Sequence, residues 1–182
     1  MPGRFFKDKT LEKLIRFDSY FVKIQKILLT ALFLMMVVLM LAQVFWRYFL
    51  ELPLSWSEEI ARFLFIIITY LGAAVATYEK LHIEINVTDV VLNSFSITDE
   101  KKLKLSLAIE IVRNLITCLI AGLFSYYCCI YAMDDYRFEQ VSTAVGMPLY
   151  YVSGFVFISM VIIVFHSLLH VLKSAVELKK SG

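Results

Sequence analysis

Charge is scarce in this chain. Only 19% of its 182 residues are charged and 60% are hydrophobic, and a mean hydropathy of +0.74 is far above what a water-soluble surface tolerates. Long polar connections are missing too, since the longest, residues 79–105, has room for only one or two short helices, and that excludes a separate soluble domain. Cysteine is limited to Cys118, Cys128 and Cys129. All three fall in one apolar run, where thiols behave as small hydrophobes. With no CxxC pair, and with vicinal cysteines poorly placed to bridge on a helix, neither a disulfide framework nor a zinc site is expected. No small-residue cleavage site follows the first apolar run, and about 26 residues precede it, so the N-terminus is expected to be retained.

What the sequence does have is four apolar runs, at 27–46, 63–78, 114–133 and 148–172, against roughly 20 residues needed for a helix to cross a bilayer. They imply an all-α integral membrane protein, a single membrane domain over 1–182 with spans at about 27–46, 58–78, 108–133 and 148–172. The second run reaches a full crossing only if Ile60, Ala61 and Arg62 continue its helix. Before the first span lie Arg4, Lys7, Lys9, Lys13, Arg16, Lys23 and Lys26, a Lys/Arg bias that marks the cytoplasmic side. Lys80, Lys101, Lys102 and Lys104 mark the same side, as do Lys173, Lys179 and Lys180. The other two loops are mainly acidic. Both termini are therefore expected in the cytoplasm.

Within residues 1–26, Leu11, Leu14, Ile15, Phe21 and Val22 recur at helical spacing opposite Glu12, Lys13, Arg16, Ser19 and Lys23. This pattern suits an amphipathic helix on the leaflet surface, its basic residues meeting membrane lipid headgroups. A second surface helix is expected in the inner loop from Ile83, Val87, Val90, Val91 and Phe95, with N-cap candidates at 96–100 for the third span. Glu110 and Arg113 share a face of that span. Near its cytoplasmic edge, where Arg113 can snorkel outward, they read as an anchoring ion pair rather than a buried functional one. Trp46 and Arg47 anchor the end of the first span.

The second span opens with charge. Ser55-Trp56-Ser57-Glu58 has the S-x-x-E form of a capping box, in which Ser55 accepts from the Glu58 amide and Glu58 reaches back. Pro53 breaks whatever precedes it, and the acidic residues favour the positive end of the helix dipole. Arg62 lies four residues after Glu58 and three after Glu59, so either carboxylate can neutralise it, and Trp56 suits the interfacial aromatic belt. Glu58, Glu59 and Arg62 can be read as an anchor that fixes the depth and rotation of the span, but exposed ion pairs are worth less than about 1 kcal/mol, so their clustering exceeds anchoring alone and docking of a partner is the competing explanation. Further along, Gly72-xxx-Ala76 has the small-xxx-small spacing of a close helix contact, with a neighbour either in the bundle or in another chain.

Arg47-Tyr48, Pro53-Leu54-Ser55-Trp56-Ser57-Glu58-Glu59, Ala61-Arg62, Leu71-Gly72-Ala73 and His82-Ile83 together resemble the small membrane subunit of tripartite ATP-independent periplasmic (TRAP) transporters, the DctQ-like family. A second block, Ser142-Thr143-Ala144-Val145-Gly146-Met147-Pro148, resembles the segment entering that family's fourth span. The sequence departs from the pattern at Tyr78 and Glu79, at Asn86 and at Tyr150, and His82 is a motif position without an assigned role. The resemblance implies a bacterial inner-membrane subunit with no cofactor and no enzymatic activity. Its implied partners are a large transmembrane subunit and a periplasmic substrate-binding protein, in sodium-coupled uptake of an organic acid such as a dicarboxylate or sialic acid; no nucleic acid is expected. The small subunit would then be a scaffold rather than the carrier, in keeping with a sequence that lacks paired interrupted hairpins.

Two rivals come from other classes. A haem-binding electron-transfer anchor is suggested by His82, His166 and His170 in a four-helix membrane bundle. However, His166 and His170 share one face and cannot grip opposite sides of one haem, and without an intervening Glu they are not an H-E-x-x-H zinc motif. A small proton-coupled exporter would use Glu110 as its titrating group, against the nearness of Arg113 and of the membrane edge.

Overall fold

The computed structural model describes residues 9–51, 54–79 and 99–180. Four helices make up almost all of it: α1 (Lys9–Phe49), α2 (Ser55–Glu79), α3 (Asp99–Arg137) and α4 (Tyr150–Lys180). Each is long and apolar enough to cross a membrane, over Lys13–Phe49, Ser55–Glu79, Lys104–Arg137 and Tyr150–Val176. Ile60, Ala61 and Arg62 do continue the second span. Pro53, His82, the expected inner-loop helix and residues 96–98 of its N-cap candidates lie outside the described residues.

The helix α1 carries no break at Lys26, where the sequence pattern suggests a division between surface segment and span. A chain with no Gly or Pro from Lys9 to Phe49 has nothing to interrupt the i→i−4 ladder, so one helix of 41 residues extends about 60 Å. Its buried stripe also differs from the apolar one expected. Asp18, Val22 and Gln25 face inward, whereas Phe17, Tyr20 and Ile24 are exposed. The spacing i, i+4, i+7 still marks a single face, but one defined by polar as well as apolar side chains.

The helices pack in the order α1, α2, α4, α3, with α3 against α4 the most extensive contact. Buried Ala74, Ala121, Met160 and Ile163 form the core, flanked by Tyr70, Ile162 and Val164. Small side chains at Ala74 and Ala121 let α2 and α3 approach the bulkier residues of α4 closely. Large apolar side chains on α1 and α3, such as Leu41, Val44, Leu119 and Leu123, face outward, as expected where the solvent is lipid.

The end of α3 has a defined stop. Glu139 adopts a left-handed conformation at φ 48°, the Gln140 N–H donates to the Asp135 carbonyl at 3.0 Å and the Glu139 N–H to Tyr136 at 3.3 Å. This pairing is a Schellman motif. It turns the chain into the compact connection that reaches α4, closed by an antiparallel bridge between Val141 and Pro148 and by Leu149 N–H to Gln140 O at 2.9 Å.

Candidate functional site

At one end of the bundle the entry to α2 meets the α3–α4 connection. Residues 142–146 form a single helical turn, in which the Gly146 N–H donates to the Ser142 carbonyl at 3.1 Å. Gly146 leaves it at φ 71°, a conformation that costs glycine little. The Ser142 N–H and the Met147 carbonyl pair at 2.9 Å, and the Met147 N–H donates to Ser142 Oγ at 3.2 Å.

A one-turn helix leaves its first amides without intrahelical acceptors, and here Glu59 supplies them. Thr143 N–H donates to Glu59 Oε1 at 3.1 Å, and the N–H groups of Ala144 and Val145 donate to Oε2 at 2.9 Å each. Three successive amides aimed at one carboxylate form an anion-binding nest with charge-assisted hydrogen bonds. The two sequence blocks that carry the family resemblance are thus joined in space by Glu59.

The neighbouring charges are arranged differently. Glu58 pairs with Arg62 at 3.6 Å across one turn, both side chains well exposed, and Trp56 is also exposed. Of the two carboxylates that the sequence offers to Arg62, Glu58 takes the part. The expected capping box does not form among the described residues. Instead Ser57, buried, donates its hydroxyl to the Leu54 carbonyl at 2.8 Å, and the Ser57 N–H donates to the same oxygen at 3.1 Å. Trp46 and Arg47 are exposed near the end of α1. Gly72 faces α1, where a Cβ would meet both Leu29 methyls at 3.9 Å, so the neighbour of the small-residue face at Gly72 is inside the chain. Ala76 is half-buried one turn on, and Glu110 and Arg113 are half-buried on α3.

The opposite end holds a buried polar cluster that the sequence reading did not anticipate. Asp18 of α1, 5% exposed, and His166 of α4, fully buried, approach at 2.8 Å between Oδ1 and Nδ1. They form a close carboxyl–imidazole contact, an ion pair only when His166 is protonated, without the alignment of a full hydrogen bond. The Tyr78 ring packs edge-on against His166 with centroids 5.5 Å apart, and His170 Nε2 lies 3.2 Å from the Tyr78 carbonyl. Lys26 and Glu79 pair between α1 and α2. Ser167 donates to the Asn114 carbonyl at 2.7 Å, tying α4 to α3. His166 and His170, which raise the haem reading, are thus each engaged with groups of their own chain. Among the described residues no three His, Cys, Asp or Glu side chains cluster as metal ligands do.

The only sequence signal for the Asp18 contact is its place on the 18, 22, 25 stripe. The only signal for the Glu59 contact is that two separate blocks resemble one family, because backbone amides carry no side-chain signature. A family model described as "Tripartite ATP-independent periplasmic transporters, DctQ component" matches residues 36–177, spanning both blocks. No curated protein matches the chain.

Proposed function

This chain belongs to the family of DctQ components of tripartite ATP-independent periplasmic transporters, and from that premise we propose that it serves as a non-transporting scaffold. It partners the large membrane subunit and helps receive the periplasmic binding protein, in sodium-coupled uptake of an organic acid such as a dicarboxylate or sialic acid across the bacterial inner membrane. A transport site in such systems is built from interrupted helices whose free ends face the substrate. The observation that carries the scaffold reading is that all four described helices run uninterrupted, and that the turn between α3 and α4 is tied to α2 through Glu59. A part whose ends are fixed is suited to bracing a moving neighbour.

On this reading Glu58, Arg62 and Trp56 form the collar available to partners, while Glu59 shapes the collar from within. The test is reconstitution of all three components in liposomes. Uptake is expected with the set and not with this chain alone. Trp56→Ala combined with Glu58→Lys is expected to lower recovery of the large subunit, or the rate driven by the binding protein, on the order of tenfold, the loss of a buried or charge-assisted contact. Uptake by this chain alone, or full activity of the double variant, refutes the scaffold or the collar respectively.

A further inference from the structure

A groove of about 680 Å³ lies between α2 and α3, with α4 at its base. It exists because α2 and α3 both pack on α4 without closing against one another over this stretch. Its walls are apolar and aromatic, with Phe63, Ile66 and Tyr70 from α2 and Phe124, Tyr127 and Tyr131 from α3. Its far end, where α3 stops, is different: Asp134, Asp135 and Ser153 line it.

Asp135 is 1% exposed. Its Oδ2 accepts from Ser153 Oγ at 2.7 Å, but its Oδ1 is buried with no hydrogen-bond partner. The residue sits in the last turns of α3, where the helix dipole is negative, and next to a second acid. Arg137, two residues on, is not on the Asp135 face, although it stands three residues after Asp134 on that residue's side of the helix. A buried carboxylate oxygen in such a field calls for a donor, and best a cationic one.

We propose that this groove is a phospholipid site, holding an acyl chain along its aromatic walls and the primary ammonium of a phosphatidylethanolamine at Asp135 and Asp134. An ammonium has three N–H donors, enough for the free Asp135 oxygen and for Asp134 together. A choline headgroup has none, and a glycerol headgroup has hydroxyl donors but no positive charge to offset its phosphate at a negative mouth. The occupant is set by the chemistry of the far end: an apolar groove that runs about 16 Å from Phe124 to Asp135 ends on an unpaired carboxylate oxygen and a second acid, which call for an apolar chain tipped by a cationic N–H donor.

The experiment is native mass spectrometry of the full-length chain, and of its complex with the large subunit, after exposure to an equimolar mixture of phosphatidylethanolamine, phosphatidylcholine and phosphatidylglycerol with identical acyl chains. Wild type is expected to retain phosphatidylethanolamine on the order of tenfold over the other two, the worth of a charge-assisted hydrogen bond. Asp135→Asn keeps the Ser153 contact and is expected to erase that preference. Ile66→Trp fills the groove and is expected to remove retained lipid of every class. Equal retention of the three lipids by wild type, an undiminished preference in Asp135→Asn, or undiminished retention in Ile66→Trp overturns the site. So does loss of all lipid from the complex together with cross-linking of Tyr127 to the large subunit, which would make the groove a helix seat. Should Asp135→Asn not fold, wild-type selectivity and the Ile66→Trp result decide the matter.

Discussion

Replacing Asp18 by Leu tests whether the buried pair holds α1 to the bundle. The change removes the carboxylate that lies 2.8 Å from His166 Nδ1 and leaves an imidazole with no solvent exposure. Stranding one member of a buried pair costs about 3–5 kcal/mol when the survivor stays charged, and about 1–3 kcal/mol when it is neutral but unsatisfied. His166→Phe alone strands Asp18 in the same way. The double variant Asp18→Leu with His166→Phe leaves no buried charge and fills a similar volume, so it is expected to recover most of the loss, as apolar replacements of buried ion pairs often do. A double-mutant cycle by thermal or denaturant unfolding in detergent is expected to give a coupling energy of about 1–3 kcal/mol. Single variants that add to within about 0.5 kcal/mol in the double would refute the pair as a tie between α1 and α4.

Three further outcomes follow from named contacts. Glu59→Gln keeps the shape of the side chain but loses its charge, so amide hydrogen exchange at Thr143, Ala144 and Val145 is expected to rise on the order of tenfold, while Glu58→Gln leaves those amides unchanged; equal exchange in both variants would remove the nest. Gly72→Ala is expected to stabilise the isolated chain by about 0.5–1 kcal/mol, since the new Cβ meets the Leu29 methyls at an ordinary 3.9 Å, and Gly72→Leu to destabilise it by about 1–3 kcal/mol through overpacking. If Gly72→Leu instead leaves the isolated chain intact and dissociates the complex, Gly72 belongs to a subunit boundary. Ser167→Ala removes the 2.7 Å bond to the Asn114 carbonyl and is expected to cost about 0.5–1.5 kcal/mol, checked by the unfolding midpoint; an unchanged midpoint would show that contact to be incidental.

The four helices were legible because long apolar runs are a one-dimensional signal, and each expected span falls largely inside a helix. The unbroken α1 was legible too, in the lack of Gly and Pro from Lys9 to Phe49, but the alternation of basic and apolar residues before Lys26 points to a surface helix and masks it. Asp18 went unnoticed because an acid among so many charged neighbours reads as solvated, and nothing local distinguishes it from Glu12. Its partner lies on α4, beyond the neighbouring α2, so only the tertiary arrangement gives the contact meaning. The S-x-x-E pattern pointed to a capping box, whereas Arg62 one turn away offers Glu58 a cationic partner, and the hydroxyl that bonds the chain entering α2 belongs to Ser57. Glu59 stands out in the sequence only as one of three clustered charges that suggest a partner, whereas the amides that claim it here are in its own chain.

The polar contacts are concentrated at the two ends of the bundle, and this bears on how a thin helical layer in lipid can be stiff. Burial of apolar surface gives no net drive when the alternative solvent is hydrocarbon, and the core is a short cluster around Ala74 and Met160. Rigidity must then come from packing and from directional contacts. At one end Glu59 fixes the α3–α4 turn to α2. At the other, Asp18 with His166, Lys26 with Glu79, and Ser167 with Asn114 join α1 to α4, α1 to α2 and α4 to α3. Every adjacent pair in the order α1, α2, α4, α3 except α2 with α4 thus has a side-chain tie at the His166 end, and His170 supplies that remaining one through the Tyr78 carbonyl. Such a layer resists sliding of one helix past the next, because any such shift breaks directional contacts between the helices, among them those of the fully buried His166 and Ser167.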